Sequence, residues 1–137
     1  MIVNAAYMYM RKAVSKVIHL FSNGKANYDF AKLSGTATID ASGLLMNAYS
    51  KCRFSGLPLQ DKTKLVINLT NRNYPQSYTG YVYIKTSGLV QKFGKGITTS
   101  ERSAIFEIDI PTDAQIENAV FEIEPIAPCI FTDIAFE

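Results

Sequence analysis

The chain has no tryptophan, a single histidine (His19) and two cysteines among its 137 residues. These scarcities close off several kinds of chemistry. With one histidine, no Gly-x-Ser-x-Gly elbow and neither cysteine near His19 in sequence, the usual parts of a nucleophilic triad are missing. Cys52 and Cys129 have no C-x-x-C partner and no nearby histidine pair, a pattern that matches no zinc or redox motif. Their apolar, strand-like neighbours suit two buried free thiols, while a bridge would require the two strands to meet in an oxidising compartment. Charged residues are modest at 19% and apolar ones reach 47%, a balance that fits neither a disordered chain nor a membrane bundle. The uncharged stretch Met1–Met10 is closed by Arg11 and Lys12 and has no basic region before it, so it reads neither as a spanning helix nor as a secretory signal. The expectation is a protein made and folded in the cytoplasm, without membrane insertion. One globular domain is what remains, and at this length roughly two-thirds of the unfolded surface can be buried.

The net charge of +2 hides a sharp division. Residues 1–100 carry thirteen Lys or Arg against Asp29, Asp40 and Asp61, whereas residues 101–137 carry Arg102 alone against nine acids. The basic residues are scattered, which argues against nucleic acid as a partner. A basic face meeting an acidic one, within the domain or between copies, is the better reading.

Val3, Tyr7, Met10, Val14, Val17 and Phe21 recur at spacings of four and three, predicting an amphipathic helix over residues 3–16 that packs on a core or on sister helices. Val17–Phe21 reads equally as a strand, stopped by the turn Ser22-Asn23-Gly24. From there to the end, β-branched and aromatic residues alternate with polar ones between turn residues. The expected strands are Gly35–Asp40, Leu44–Phe54, Lys64–Thr70, Gly80–Ser87, a weaker Leu89–Phe93, Ser103–Ile110, Asn118–Glu124 and Cys129–Phe136. The fold class is therefore mainly β: a jelly-roll β-sandwich of seven to eight antiparallel strands preceded by a short N-terminal helix. Residues 1–22 hold the helix and first strand, and 23–137 the sandwich. Alternation of Phe121 and Ile123 with Glu122 and Glu124, and of Phe106, Ile108 and Ile110 with Glu107 and Asp109, predicts a core face and a wet acidic face. If the two acidic strands pair, cations must answer them, with Lys62, Lys64, Lys85, Lys92 and Lys95 as the sources.

Three stretches carry a resemblance: Val17–Gly24 as opening strand and turn, Gly35–Ile39 as second strand, and Lys64–Leu69 as a central strand after the turn Pro58-Leu59-Gln60-Asp61. The closing runs Ile105–Pro111, Asn118–Ile123 and Ile130–Glu137 complete it. In this order the chain resembles jelly-roll modules of the galactose-binding and carbohydrate-binding type, and more closely the versions in phage tail, baseplate and receptor-binding proteins. The resemblance runs from Val17 to the end and is one of pattern. It implies a non-enzymatic structural or adhesion component of a virion, with a homo-oligomer and other virion proteins as partners, and a host glycan as a further one. Two departures stand out. Carbohydrate-binding members usually present a tryptophan platform, which is missing, and of the acids that hold a structural calcium in such modules only Asp133 has a counterpart. No cofactor and no metal is expected.

Among candidate sites, Gly94-Lys95-Gly96 lacks the preceding glycine and the following Ser or Thr of a phosphate loop and reads as a hairpin turn. The acids sit at alternate strand positions, a solvated face rather than the opposed carboxylates of a glycosidase. His19 reads as an ordinary residue of the first strand. The segment Asn71–Tyr81 concentrates amides, a guanidinium and phenols: Asn71, Arg72, Asn73, Tyr74, Gln76, Tyr78 and Tyr81. Phenols can stack on sugars while Asn, Gln and Arg bond hydroxyls, and the same set suits a subunit contact or an ordinary loop folded on the sandwich. Val3, Tyr7, Met10 and Val14 are the expected oligomer contacts. Two functions follow: virion structure and adhesion, or glycan recognition through the 71–81 loop.

Overall fold

The computed structural model describes residues 16–137. The expected helix over residues 3–16, with Val3, Tyr7, Met10 and Val14, lies almost wholly outside the described residues; Lys16, which is described, is not helical. The strands are β1 (Ile18–His19), β2 (Phe21–Ser22), β3 (Lys25–Ala26), β4 (Asp29–Ser34), β5 (Ala37–Asp40), β6 (Gly43–Met46) and β7 (Lys51–Leu57). They continue with β8 (Lys64–Asn71), β9 (Tyr78–Lys85), β10 (Gln91–Thr99), β11 (Ser103–Asp109), β12 (Ala119–Pro125) and β13 (Cys129–Phe136).

Two antiparallel sheets form the body. One runs β11-β8-β13-β6-β5 with β1 also on β13, and the other runs β10-β9-β12-β7-β4; β2 and β3 make a small hairpin. Ile18 and His19 thus belong to the six-stranded sheet. Period-two alternation builds the layers: β8 buries Leu65, Ile67, Leu69 and Asn71, and β9 buries Tyr78, Gly80, Val82 and Ile84. The inner faces meet in a core that includes Phe121 of one sheet edge-on to Phe136 of the other, 5.4 Å between centroids at 89°. Tyr78 likewise meets Phe131 at 6.5 Å and 84°.

Several expected boundaries shift, each for a local reason. The single strand over Leu44–Phe54 is two, because Asn47–Ser50 turns between sheets with Tyr49 at φ +64°. Gly94–Gly96 is no hairpin turn but the middle of β10, paired in register with β9. The stretch 29–34, which shows little alternation, is an edge strand on β7. In β13 a plain alternation, which would put Ile130, Thr132 and Ile134 on one side, does not hold. A bulge at Thr132 reverses the phase, so Cys129 and Phe131 point inward before it and Ile134 and Phe136 after it. The two acidic strands do not pair: β11 is an edge of the six-stranded sheet and β12 the centre of the five-stranded one.

Candidate functional site

The outer face of the five-stranded sheet gathers most of the unusual chemistry. On β9 the outward positions are Thr79, Tyr81, Tyr83 and Lys85. Across from Tyr81 and Tyr83 on β10 stand Gly96 and Gly94. A Cβ at 96 would come 3.3 Å from the Tyr81 ring, and one at 94 would come 3.2 Å from the Tyr83 ring and 2.8 Å from Gln91 Nε2. Each ring therefore lies across bare backbone of the edge strand, in space that any side chain would fill. Alternate positions on a strand put the two rings about 7 Å apart along it. Thr79 and Thr98 continue the row, their hydroxyls 3.1 Å apart.

On the other side of β9, β12 sets Glu122 beside Tyr83 and Glu124 beside Tyr81, and β7 sets Arg53 opposite Glu122. Glu122 points to the outer face, yet its side chain is 0% exposed because three cations cover it. Arg53 donates through Nε and Nη2 to Oε2, both at 2.8 Å. Lys85 Nζ donates to Oε1 at 2.8 Å, and Lys51 Nζ lies 3.4 Å from Oε1 and 3.9 Å from Glu124. Lys85 also stands 5.8 Å from the centre of the Tyr83 ring, a cation–π distance. Burial alone would raise the Glu122 pKa; the hydrogen bonds from Lys85 and Arg53, with the charges of Lys85 and Lys51, outweigh it and hold the carboxyl below its ordinary value. A glycosidase acid needs the opposite shift. Glu122 is thus a fixed anion that organises three cations rather than a proton donor. Burial, then the neighbouring Glu124 and Tyr81, raise the Tyr83 pKa, so its phenol stays a neutral donor.

The expected contact residues divide. Tyr78 is fully buried, its ring against Phe131, and so forms part of the core rather than a contact surface. Its hydroxyl finds no nitrogen or oxygen partner and lies beside the Cys129 thiol. Asn71 is also buried and acts as a staple for the loop: Nδ2 donates to the carbonyls of Gln76 and Glu101, and Oδ1 accepts from the Asn73 N–H. Asn73 Nδ2 donates to the Ser77 carbonyl at 2.9 Å. Arg72, Tyr74 and Gln76 are on the surface at one end of the sandwich. There Arg72 reaches Asn47 Oδ1 at 3.4 Å, and the Arg102 guanidinium sits 4.7 Å over the Tyr74 ring. Tyr49, 73% exposed, is held at the same end by its N–H bond to the Pro125 carbonyl. Tyr81 is on the sheet face instead, apart from the loop.

Sequence reading missed Arg53, Tyr83 and Glu122 as a group and named Lys85 only as a possible counter-cation. The usable signal was the alternation Tyr81-x-Tyr83-x-Lys85 facing Gly94-x-Gly96. Of two hollows elsewhere on the surface, one of about 570 Å³ is lined by His19, Asn27, Tyr28, Gln60 and Asp61. The other, of about 580 Å³ on the six-stranded sheet, is lined by Asn68, Thr70, Ser103, Ile105 and Thr132, with no ring among its walls. Asp133, the one expected counterpart of a calcium ligand, has its Oδ1 2.9 Å from His19 Nδ1.

No family model matches the sequence, and no curated protein matches it. Solved structures do resemble the fold. One titled "BiXyn10A CBM1 APO" has a TM-score of 0.63 at 9% identity, over 90% of this chain and 98% of that one. A family 6 carbohydrate-binding module from Clostridium stercorarium in complex with cellobiose has 0.59 at 10%, over 89% and 92%. A two-domain esterase active on acetylated mannans has 0.57 at 8%, over 88% of this chain but only 36% of the esterase. At such identities the likeness establishes the fold, a jelly-roll β-sandwich shared with carbohydrate-binding modules.

Proposed function

We propose that this chain is a non-catalytic carbohydrate-binding domain that lays a stretch of polysaccharide across the outer face of its five-stranded sheet. Tyr81 and Tyr83 take the place of the missing tryptophan platform and offer apolar surface to sugar rings. Arg53, Lys51, Lys85 and Glu124 bond hydroxyls beside them. The observation that carries the reading is the pair of tyrosines laid over Gly96 and Gly94 on an otherwise charged surface. The likeness of the fold to several carbohydrate-binding modules supports it. Affinity electrophoresis through gels containing soluble polysaccharides tests it: the protein should be retarded by at least one of them, and Tyr81→Ala with Tyr83→Ala should run free while melting as the parent does. Full retardation of the double variant refutes this placement.

A second reading keeps glycan recognition but moves it to the loop end, favoured by the Arg102–Tyr74 stack and the exposure of Tyr49. Tyr74→Ala is its test in the same gels. Placement in a phage tail, baseplate or fibre, as a homo-oligomer among other virion proteins, is a separate proposal resting on element order; peptides of this chain in purified particles would establish it.

A further inference from the structure

The charge division along the chain becomes a division between the two sheets. The strands of the five-stranded sheet carry Lys32, Lys51, Arg53, Lys85, Lys92 and Lys95 against Asp29, Glu122 and Glu124; Lys32 and Lys95 stand in register with the inward Cys52 and Val82, so the outer face sets Lys51, Arg53 and Lys85 against those three acids. Those of the six-stranded sheet carry Lys64 alone against Asp40, Glu107, Asp109 and Asp133. On the first, the anion and cations also differ in depth. Glu122 is 0% exposed, whereas Lys51, Arg53 and Lys85 keep 32%, 27% and 19% of their side chains in solvent. Glu124 answers only Lys51, at 3.9 Å. Arg53 spends Nε and Nη2 on Glu122.

We propose that the glycan held by this face is acidic, a uronic-acid polysaccharide with a carboxylate over Lys51 and Arg53 while its rings stack on Tyr81 and Tyr83. This rests on the reading of the face as a glycan site. The buried carboxylate fixes Lys51, Arg53 and Lys85 in place before any ligand arrives, so a uronate meets preorganised cations of which the exposed Glu124 answers only Lys51. A neutral sugar could use the same donors but would bring no carboxylate to the exposed ends of Lys51 and Arg53. The surface field would also speed capture of a polyanion at low salt.

The test is binding by calorimetry and affinity electrophoresis to polygalacturonate, alginate and hyaluronate, each against its methyl ester, with neutral galactan and glucomannan alongside. At least one acid should bind tenfold or more tightly than its own ester at about 50 mM salt, with the advantage shrinking at about 500 mM, where screening is strong. Lys51→Gln, which leaves the hydrogen bonds of Arg53 and Lys85 to Glu122 in place, should cut that advantage severalfold and weaken binding of the ester far less. Equal binding of acid and ester, still dependent on Tyr81 and Tyr83, overturns the proposal and leaves the glycan reading standing. Binding to none of the polymers overturns both. Retention that ignores the two tyrosines, tighter retention by single-stranded DNA, or salt-sensitive self-association through the acidic sheet of a second copy would each overturn it.

Discussion

Replacing Glu122 by glutamine keeps the shape of the side chain and removes its charge. The amide nitrogen would then have to face either Arg53 or Lys85, both donors, and three cations would share a site without an anion. Removing one partner of a buried ion pair costs about 3–5 kcal/mol. Because the cations keep a fifth to a third of their surface in water, the lower end applies, about 3 kcal/mol, out of a total stability of about 5–15 kcal/mol for a domain. At roughly 4 °C per kcal/mol for a chain of this length, the midpoint should fall by about 12 °C at pH 7. The pH dependence gives a second handle. The folded-state pKa of Glu122 is depressed below its ordinary 4.5, so its contribution is full above that value and disappears as pH falls through the folded pKa. The gap between parent and Glu122→Gln should therefore be constant from pH 8 to about 5 and close below about 4.5. Thermal melts followed by circular dichroism across that range measure both. Glu107→Gln is the control, since its pair with Lys64 is exposed and 3.8 Å long; it should change stability by less than about 0.5 kcal/mol. A Glu122→Gln protein within about 1 kcal/mol of the parent, or a gap that persists unchanged to pH 3, would refute the role given to the buried carboxylate.

Gly96→Val should weaken glycan binding by about tenfold, near 1.4 kcal/mol, because its side chain takes the space of the Tyr81 ring, while the melting point moves little at this exposed edge position; titration calorimetry with differential scanning separates the two. Burial pushes the thiols of Cys52 and Cys129 up to about 12, so neither should react with a disulfide reagent at pH 8 in the native protein and both should react on unfolding. Rapid labelling of the native protein would contradict the packing described around them.

The part of the fold set by local alternation was legible in the sequence. Strands such as Lys64–Asn71 and Cys129–Phe136 announce themselves through β-branched and aromatic residues between turn signals. What depends on distant partners was not. Glu122 looks like a wet residue because Arg53 and Lys85, the side chains that cover it, lie 69 and 37 positions away in sequence. Gly94 and Gly96 look like a turn because glycine signals both a bend and a surface left bare for something else, and only pairing with β9 tells them apart. The bulge at Thr132 reverses which residues face the core without leaving a glycine or proline to mark it. Tyr78 and Tyr81, three positions apart in one segment, fall on opposite faces of a strand, which divides what read as a single loop of contact residues.

Nuclear magnetic resonance titration of the labelled protein with an oligosaccharide cut from whichever polymer retards it locates the binding face most directly. Shifts should concentrate on Arg53, Tyr81, Tyr83, Lys85, Gly94, Gly96 and Glu124, at the outer face of one sheet. Shifts confined to Tyr49, Arg72, Tyr74 and Arg102, or to Asn68, Ile105 and Thr132 on the other sheet, would contradict that placement.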